Sequence, residues 1–263
     1  MCRLLATVSA EPKTIEEVLG DDQLREFSEL SEFHDDGWGA ARVNACGDIQ
    51  TCSSTSKADV DPAFGQYTKT DASTEHLAHL RWASEGMGNT LENAHPFLQD
   101  GFAFMHNGNI AAPADMEQLL DADSLQNIHG STDSERFFAY IMQCCRNSGS
   151  TENGVIRAVK DMREAFPGRS LNSFVMHDGK VYVINFHAGA QFDLTGYPER
   201  RGHTPWLHDK THYHELMLHR DDEAIVVSST GIRDGEWEKL PEESIFEISR
   251  EQGVPSIRTI WEE

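Results

Sequence analysis

The chain has 263 residues, with 44 aspartates and glutamates against 22 lysines and arginines, so its formal charge is −22 at pH 7. This charge argues against nucleic acid and anionic membranes as partners, because both are bound through clustered cations. The five cysteines have no CxxC spacing, and no apolar stretch has the form of a signal peptide or a membrane span. We therefore expect a reduced, cytoplasmic protein that acts on a small molecule.

The first predicted elements place a cysteine at the edge of a sheet. Residues 3–9 predict a strand that would hold Cys2, and Thr14 with Glu17 has the spacing of a capping box, which starts a helix. The helical pattern ends in a predicted loop over residues 34–39. Two further strands are predicted at residues 76–82 and 102–105.

The second half of the chain predicts a pair of helices followed by a hairpin. Thr132 and Glu135 have capping-box spacing at the start of one helix, and the Pro-Gly pair at 167–168 ends the next. The Asp-Gly pair at 178–179 is typical of a β-hairpin. Two later strands are predicted at residues 224–229 and 245–248. The order of elements favours a layered α+β domain with antiparallel sheets over a parallel βαβ fold.

Cys2 is the candidate nucleophile. We expect Met1 to be removed, because the side chain that follows it is small, and this would give Cys2 a free α-amine beside its own thiol. An α-amine has a pKa of about 8 and is suited to deprotonate the thiol near neutral pH. The alternative is a buried strand cysteine without a catalytic role.

Hydrolysis of an amide by this cysteine would need hydrogen-bond donors for an oxyanion and charged groups for the substrate. Asn107 and Gly108 offer a side-chain amide and a backbone N–H, although the same pair is also a common turn. Arg81, with Ser84 beside it, is suited to an α-carboxylate, and its alternative is a surface ion pair. Asp133 is suited to an α-ammonium, or it interacts with the dipole of its own helix.

Histidines between residues 202 and 219 raise the question of a metal site. His208 and His212 have a spacing that could place both on one helical face, but no Glu–His pair at catalytic spacing accompanies them. We expect a polar border of the active site there and no metal. The sequence has no glycine-rich phosphate loop followed by a lysine, so ATP, flavin and nicotinamide are not expected as cofactors.

Short motifs along the chain resemble those of the class II glutamine amidotransferases, which are N-terminal-nucleophile hydrolases. In order they are Cys2, GWG at 37–39, HLRWAS at 79–84, NAHPF at 93–97, HNG at 106–108 and TDSE at 132–135. The pattern resembles in particular the small stand-alone branch that includes the γ-glutamyl amidase of ergothioneine biosynthesis. The strong matches cover residues 2–135.

The resemblance implies a four-layer αββα sandwich, built as a single domain from residues 2–263 after removal of Met1. It also implies that Cys2 attacks the amide and that Asn107 and Gly108 form the oxyanion hole. Arg81 and Ser84 would bind the substrate carboxylate, and Asp133 its ammonium. The remaining candidates for substrate binding are Trp82, His95 and His34.

The implied reaction starts with attack of Cys2 on the γ-amide of glutamine or of a γ-glutamyl amide. Water then hydrolyses the γ-glutamyl thioester, which gives glutamate plus ammonia or an amine. The alternatives are a glutaminase subunit that feeds ammonia to a separate synthase, and a non-catalytic glutamine-binding protein. A homodimer through an exposed sheet edge is also considered. The sequence departs from the family pattern at Glu85 and at residues 229–231, where we expect the leaving group to lie.

Overall fold

The computed structural model describes residues 2–83, 88–190 and 212–263. The strands in this part of the chain are β1 Arg3–Lys13, β2 Trp38–Val43, β3 Ile49–Ser54, β4 Ser73–Leu80, β5 Phe97–Gln99, β6 Phe102–Asn107, β7 Asn172–His177, β8 Lys180–Asn185, β9 Leu216–Arg220, β10 Ala224–Ser229, β11 Glu238–Lys239, β12 Ser244–Glu251 and β13 Val254–Glu262. The α-helices are α1 Ile15–Glu29, α2 Pro62–Thr70, α3 Pro113–Met116, α4 Ala122–Gln126, α5 Asp133–Ser148 and α6 Thr151–Ala165. No helix among the described residues is both long and apolar enough to cross a bilayer.

The strands form two antiparallel sheets. The first has the order β11-β9-β10-β1-β4-β2-β3, and the second has the order β13-β12-β8-β7-β6-β5. Strand β1 is therefore central, with β10 on one side and β4 on the other. Its side chains are buried on both faces from Arg3 to Ser9, as expected of a central strand covered by two layers.

The two sheets face each other across an apolar core. Leu4 and Val227 of the first sheet pack in this core with Phe174 and Val183 of the second. Leu5, the next residue along β1, faces the opposite way, because successive side chains of a strand point to opposite faces. One strand thus contributes to two separate apolar layers.

Helices cover the outer face of each sheet. Phe27 of α1 and Phe64 of α2 pack against the first sheet, and Phe137 of α5 and Val159 of α6 pack against the second. Sheet on sheet, with helices outside both, is the four-layer αββα sandwich that the resemblance implied, and the α+β prediction is confirmed.

The two predicted capping boxes have different outcomes. The Thr14 hydroxyl accepts from the backbone N–H of Glu17 at 3.1 Å, and the Glu17 carboxylate accepts from the Thr14 N–H at 2.8 Å, so this box is complete. Thr132 also accepts from the N–H of Glu135, at 3.1 Å. The Glu135 carboxylate instead accepts from the N–H groups at positions 129 and 130, because the preceding loop bends back over it. The second box is therefore half formed.

The predicted loop over residues 34–39 is wrong at its end, because β2 already begins at Trp38. The strand consists largely of small residues that give no apolar alternation. Gly39 is required at its place in this strand, since a Cβ there would overlap the carbonyl oxygen of His95. The close approach of β2 to the segment around His95 therefore requires glycine at position 39, because any side chain there would overlap that segment. The prediction also omitted β3, α2, β5, α3, α4, β9, β11 and β13.

The packing of α5 on α6 gives the first testable prediction. A Cβ added at Gly154 of α6 would lie 2.5 Å from both Cα and Sγ of Cys145 in α5. Gly154→Ala should lower the free energy of unfolding by about 1–3 kcal/mol, because the helices must move apart. The matched control is Gly65→Ala in α2, where the new Cβ meets open space and helix propensity should raise stability by about 1 kcal/mol. Urea unfolding measures both, and a stabilised Gly154→Ala protein would contradict the packing.

Candidate active site

The start of β1 brings Cys2 beside the end of β6. The backbone N–H of Cys2 donates to the side-chain oxygen of Asn107 at 2.7 Å. Because β1 and β6 belong to different sheets, this contact joins the two sheets at the candidate nucleophile. Cys2 is buried, with 7% of its surface exposed.

Asn107, which contacts Cys2, and the adjacent Gly108 are the candidate oxyanion donors. Asn107 is completely buried, and its side-chain Nδ2 has no hydrogen-bond partner among the described residues. A buried amide N–H without a partner is costly, so a ligand that accepts from it gains the full value of the bond. Gly108 follows, where a Cβ would overlap the carbonyl oxygen of Ser170. The site thus offers a free side-chain donor next to a backbone N–H.

The environment of the thiol favours the thiolate. The Cys2 Sγ lies 3.9 Å from the carbonyl oxygen of Trp82, its hydrogen-bond acceptor. Burial acts to raise the pKa of the Cys2 thiol, but the charge of nearby His79 and further contacts outweigh it and lower the pKa to about 6. The charge of the chain's N-terminus and the contact of the thiol with the His79 ring lower the pKa of Cys2 in the same direction.

His95 lies behind His79 and does not carry a charge. The two rings pack against each other at a tilt of 33°, with their centroids 4.3 Å apart. Burial, together with the charge of His79, lowers the pKa of His95 well below its usual value. His95 is therefore a neutral ring packed on the histidine that acts on the thiol.

Arg81 follows β4 and is held by the loop at residues 36–37. Its backbone N–H donates to the Gly37 carbonyl oxygen at 2.9 Å, and the Asp36 carboxylate accepts from the N–H of Ala83 at 2.8 Å. The buried guanidinium of Arg81 donates to Asn89 Oδ1 at 2.8 Å and to the carbonyl oxygen of residue 88 at 3.2 Å. Two of its five donors are thus used by described residues, and a guanidinium has further donors suited to a carboxylate. Ser84 lies outside the described residues, as does Glu85.

Asp133 is the first residue of α5. One of its carboxylate oxygens accepts from the N–H of Ile110 at 2.6 Å, and the other accepts from the N–H of Ser134 at 2.8 Å. The first bond ties α5 to the loop that follows Asn107 and Gly108. The carboxylate is therefore positioned beside the candidate oxyanion hole.

His34 supports the nucleophile from behind. It is completely buried, with Nδ1 2.7 Å from the carbonyl oxygen of Leu30 and Nε2 3.1 Å from the Tyr213 hydroxyl. Its ring meets the half-buried ring of Trp82 edge-on, with the centroids 5.9 Å apart. The Tyr213 hydroxyl in turn donates to the carbonyl oxygen of Cys2 at 3.4 Å. The predicted residues Arg81, Trp82, Asp133, His34 and His95 thus all lie around Cys2, Asn107 and Gly108.

Sequence reasoning missed Tyr213 and Arg3. The Arg3 guanidinium lies over the Tyr213 ring, 3.8 Å from its centroid, and donates to the Tyr213 carbonyl oxygen at 3.0 Å. The available signal was an arginine inside an otherwise apolar strand, because a buried cation needs a partner.

The histidine-rich segment is described in part. His203 and His208 lie outside the described residues. His212 contacts the Glu215 carboxylate at 2.8 Å, and His219 contacts the carbonyl oxygen of Glu236 at 2.8 Å. Within the described ranges, no three His, Cys, Asp or Glu side chains are arranged to hold a metal ion.

Comparison with known proteins identifies sequence relatives of the chain. The sequence model described as class II glutamine amidotransferases matches residues 1–257. A Haemophilus influenzae protein described as a glutamine amidotransferase is 27% identical over 215 residues, which are 77% of this chain and 69% of that protein.

Solved structures share the fold. A class II glutamine aminotransferase domain protein from Silicibacter pomeroyi superimposes with a TM-score of 0.64 at 17% identity, over 98% of this chain and 99% of its own. Glutamine phosphoribosylpyrophosphate amidotransferase from B. subtilis gives a TM-score of 0.63 at 14% identity, over 100% of this chain and 50% of its own. At these identities the structures support the fold alone.

The lowered pKa of Cys2 gives the second prediction. Its alkylation by iodoacetamide should rise with pH around a midpoint of about 6, because the thiolate is the reactive form. In urea the midpoint should move up to about 8.5, the value of an exposed cysteine. His79→Asn should also raise the midpoint, since it removes the charge that lowers the pKa. Mass spectrometry of the Cys2 peptide measures the rates, and exposed Cys46 is the internal reference. A midpoint near 8.5 in the folded protein would contradict the assignment.

Proposed function

Because this chain belongs to the class II glutamine amidotransferases, we propose that it cleaves the γ-amide of glutamine or of a γ-glutamyl amide with Cys2 as nucleophile. The observation that carries this proposal is the contact of Cys2 with Asn107. The oxygen of the Asn107 side chain accepts from the nucleophile's own nitrogen, which leaves Nδ2 without a partner among the described residues. One side chain can therefore orient the nucleophile and stabilise the oxyanion that it creates.

The proposal requires removal of Met1. The backbone nitrogen of Cys2 then becomes an α-amine that still has Asn107 Oδ1 as its acceptor at 2.7 Å. Such an amine can take the thiol proton directly or through water and later return it to the leaving group. The pKa of the thiol, lowered to about 6 in the chain that retains Met1, favours the thiolate near neutral pH.

The glutamyl group would be held by two opposite charges. The donors of Arg81 that make no bond to described residues are suited to the α-carboxylate, and the Asp133 carboxylate is suited to the α-ammonium. Both side chains are fixed by backbone contacts, Arg81 to the loop at residue 88 and Asp133 to Ile110. Fixed charges orient the amide carbon toward Cys2 without a further entropy cost. His34 and His95 are both buried. We assign His34 to positioning Trp82, and His95 to positioning His79.

The proposed reaction has two stages. The thiolate forms a C–S bond with the amide carbon, and the oxyanion is stabilised by Asn107 Nδ2 and the N–H of Gly108. The C–N bond then breaks as nitrogen takes the proton held by the α-amine, which releases ammonia or an amine. Water attacks the thioester next, transfers a proton to the sulfur through the same amine, and leaves glutamate and free Cys2.

A second candidate is supply of ammonia to a synthase. The B. subtilis amidotransferase chain is about twice the length that matches here, so relatives of this fold also occur joined to further protein. A glutaminase of this kind would release ammonia from glutamine and would co-purify with its synthase. Assays on glutamine and on γ-glutamyl amides, with and without cell extract, distinguish the two candidates.

Covalent labelling tests the nucleophile. Treatment with a glutamine-mimicking diazoketone should add one label per chain, mapped to a Cys2 that has lost Met1, and excess glutamine should prevent it. Cys2→Ala should abolish both labelling and glutamate release, whereas the control Cys46→Ala, at an exposed cysteine, should leave both intact. Intact-mass spectrometry measures the label. Retained Met1, or glutamine binding without turnover, would favour the non-catalytic alternative.

The oxyanion donor gives a separate prediction. Asn107→Asp keeps the size and the acceptor of the side chain but removes the Nδ2 donor, so kcat for glutamine should fall by about 10²–10³. Asn153→Ala, on the exposed side of α6, is the control and should match the wild type. A circular dichroism melt excludes unfolding. An Asn107→Asp protein with normal kcat would remove this side chain from the oxyanion hole.

A further inference from the structure

A cavity of about 370 Å³ lies against the backbone of the candidate oxyanion hole. Ser170 and Asn109 are among the residues that line it. The Ser170 hydroxyl donates to the carbonyl oxygen of Asn107 at 2.8 Å, and its own carbonyl oxygen is close enough to Gly108 to exclude a Cβ. The cavity therefore begins beside the backbone of Asn107 and Gly108, the residues proposed to hold the amide oxygen.

This cavity is distinct from the proposed glutamyl site. Neither Arg81 nor Asp133 is among the described residues that line it. An amide substrate has two substituents at its reacting bond, the acyl group and the group on nitrogen. Arg81 and Asp133 are assigned to the acyl group of the substrate. The cavity is therefore available to bind the substituent on the amide nitrogen. The NH₂ of glutamine needs no such volume, since a cavity of this size fits a small organic molecule.

The cavity offers positive charge in a strongly acidic protein. Arg169 lies on its wall, is exposed, and forms no ion pair or hydrogen bond with any described residue. No aspartate or glutamate belongs to the described lining residues, although the chain carries a formal charge of −22. A guanidinium on the wall of a polar cavity, without an ion-pair partner among the described residues, is suited to a planar carboxylate.

His214 supplies a second polar group on the cavity wall. It is buried, with 7% of its surface exposed, and neither ring nitrogen has a hydrogen-bond partner among the described residues. Burial lowers the pKa of His214 to about 3, so at neutral pH the ring has one donor and one acceptor. Its ring meets that of Tyr213, with the centroids 5.1 Å apart, and Tyr213 donates to Cys2. His214 is thus connected to the nucleophile through one side chain.

Resting on the proposed function, we infer that this cavity binds the leaving amine and that the amine carries a carboxylate, which Arg169 and His214 bind. The substrate class is then a γ-glutamyl amino acid or peptide. When the C–N bond breaks, nitrogen takes the proton from the Cys2 α-amine, and the free amino acid leaves through the cavity. The charge of Arg169 is retained throughout, so its effect is on binding and orientation of the leaving group.

Two chromogenic substrates that differ in one carboxylate test this inference. L-γ-glutamyl-4-nitroanilide and L-γ-glutamyl-3-carboxy-4-nitroanilide share the glutamyl group and a coloured leaving amine. The wild type should have a kcat/KM about tenfold higher for the carboxylated substrate, as expected for one hydrogen bond to a charged group. In Arg169→Ala the ratio of the two values should fall close to one. His214→Phe, which keeps a ring but removes both nitrogens, should lower the ratio in part.

Arg25→Ala is the control, because Arg25 is an exposed arginine of α1, outside the lining of the cavity, and the ratio should stay at its wild-type value. An equal kcat/KM for both anilides, or a ratio that Arg169→Ala does not change, would overturn the inference and leave the proposed function standing. Turnover of glutamine but of neither anilide would overturn it in favour of the ammonia-supplying candidate. No turnover of glutamine or of either anilide would overturn the proposed function itself.

Discussion

The hydrogen bond from the Cys2 backbone to the Asn107 side chain joins the two sheets of the sandwich at the candidate nucleophile. Each partner is held by its own strand. Strand β1 lies between β10 and β4, and β6 lies between β5 and β7. The distance between nucleophile and oxyanion donor therefore depends on how the two sheets pack, and the apolar core between them serves the site directly. Rigid strands hold such a geometry better than loops do.

The other site residues lie on segments that are themselves tied to this contact. The loop at residues 36–37 holds Arg81, and Asp133 holds the loop that follows Asn107. Buried histidines pack against the residues that contact Cys2. Of these, His95 is neutral and packs on His79, and His34 contacts Tyr213. The result is a small set of charges in a buried setting, where electrostatic interactions are stronger than in water.

Much of this arrangement could be predicted from sequence, for a physical reason. Cys2, Asn107, Gly108 and Asp133 lie at the ends of elements whose boundary is marked by an apolar run or by a capping residue. Tyr213 could not be predicted in this way, because it reaches Cys2 only through folding of a distant segment. Strand β2 was missed because its small residues pack closely without any apolar alternation. Gly39 was not recognised for a similar reason. Its contact with the segment around His95 depends on the lack of a side chain, and secondary-structure propensities do not report such contacts.

The burial of Cys2 has a consequence for the order of events during biosynthesis. In the folded chain the nitrogen of Cys2 is engaged with Asn107, and 7% of the residue is exposed. On the proposed mechanism, removal of Met1 would have to precede closure of the sandwich, because an aminopeptidase needs an extended, accessible N-terminus. Maturation would then be a co-translational event at the ribosome. On the same proposal, a fusion partner attached upstream would give a folded protein without the amine, whereas an extension after β13, at the edge of the second sheet, would leave the nitrogen of Cys2 unchanged.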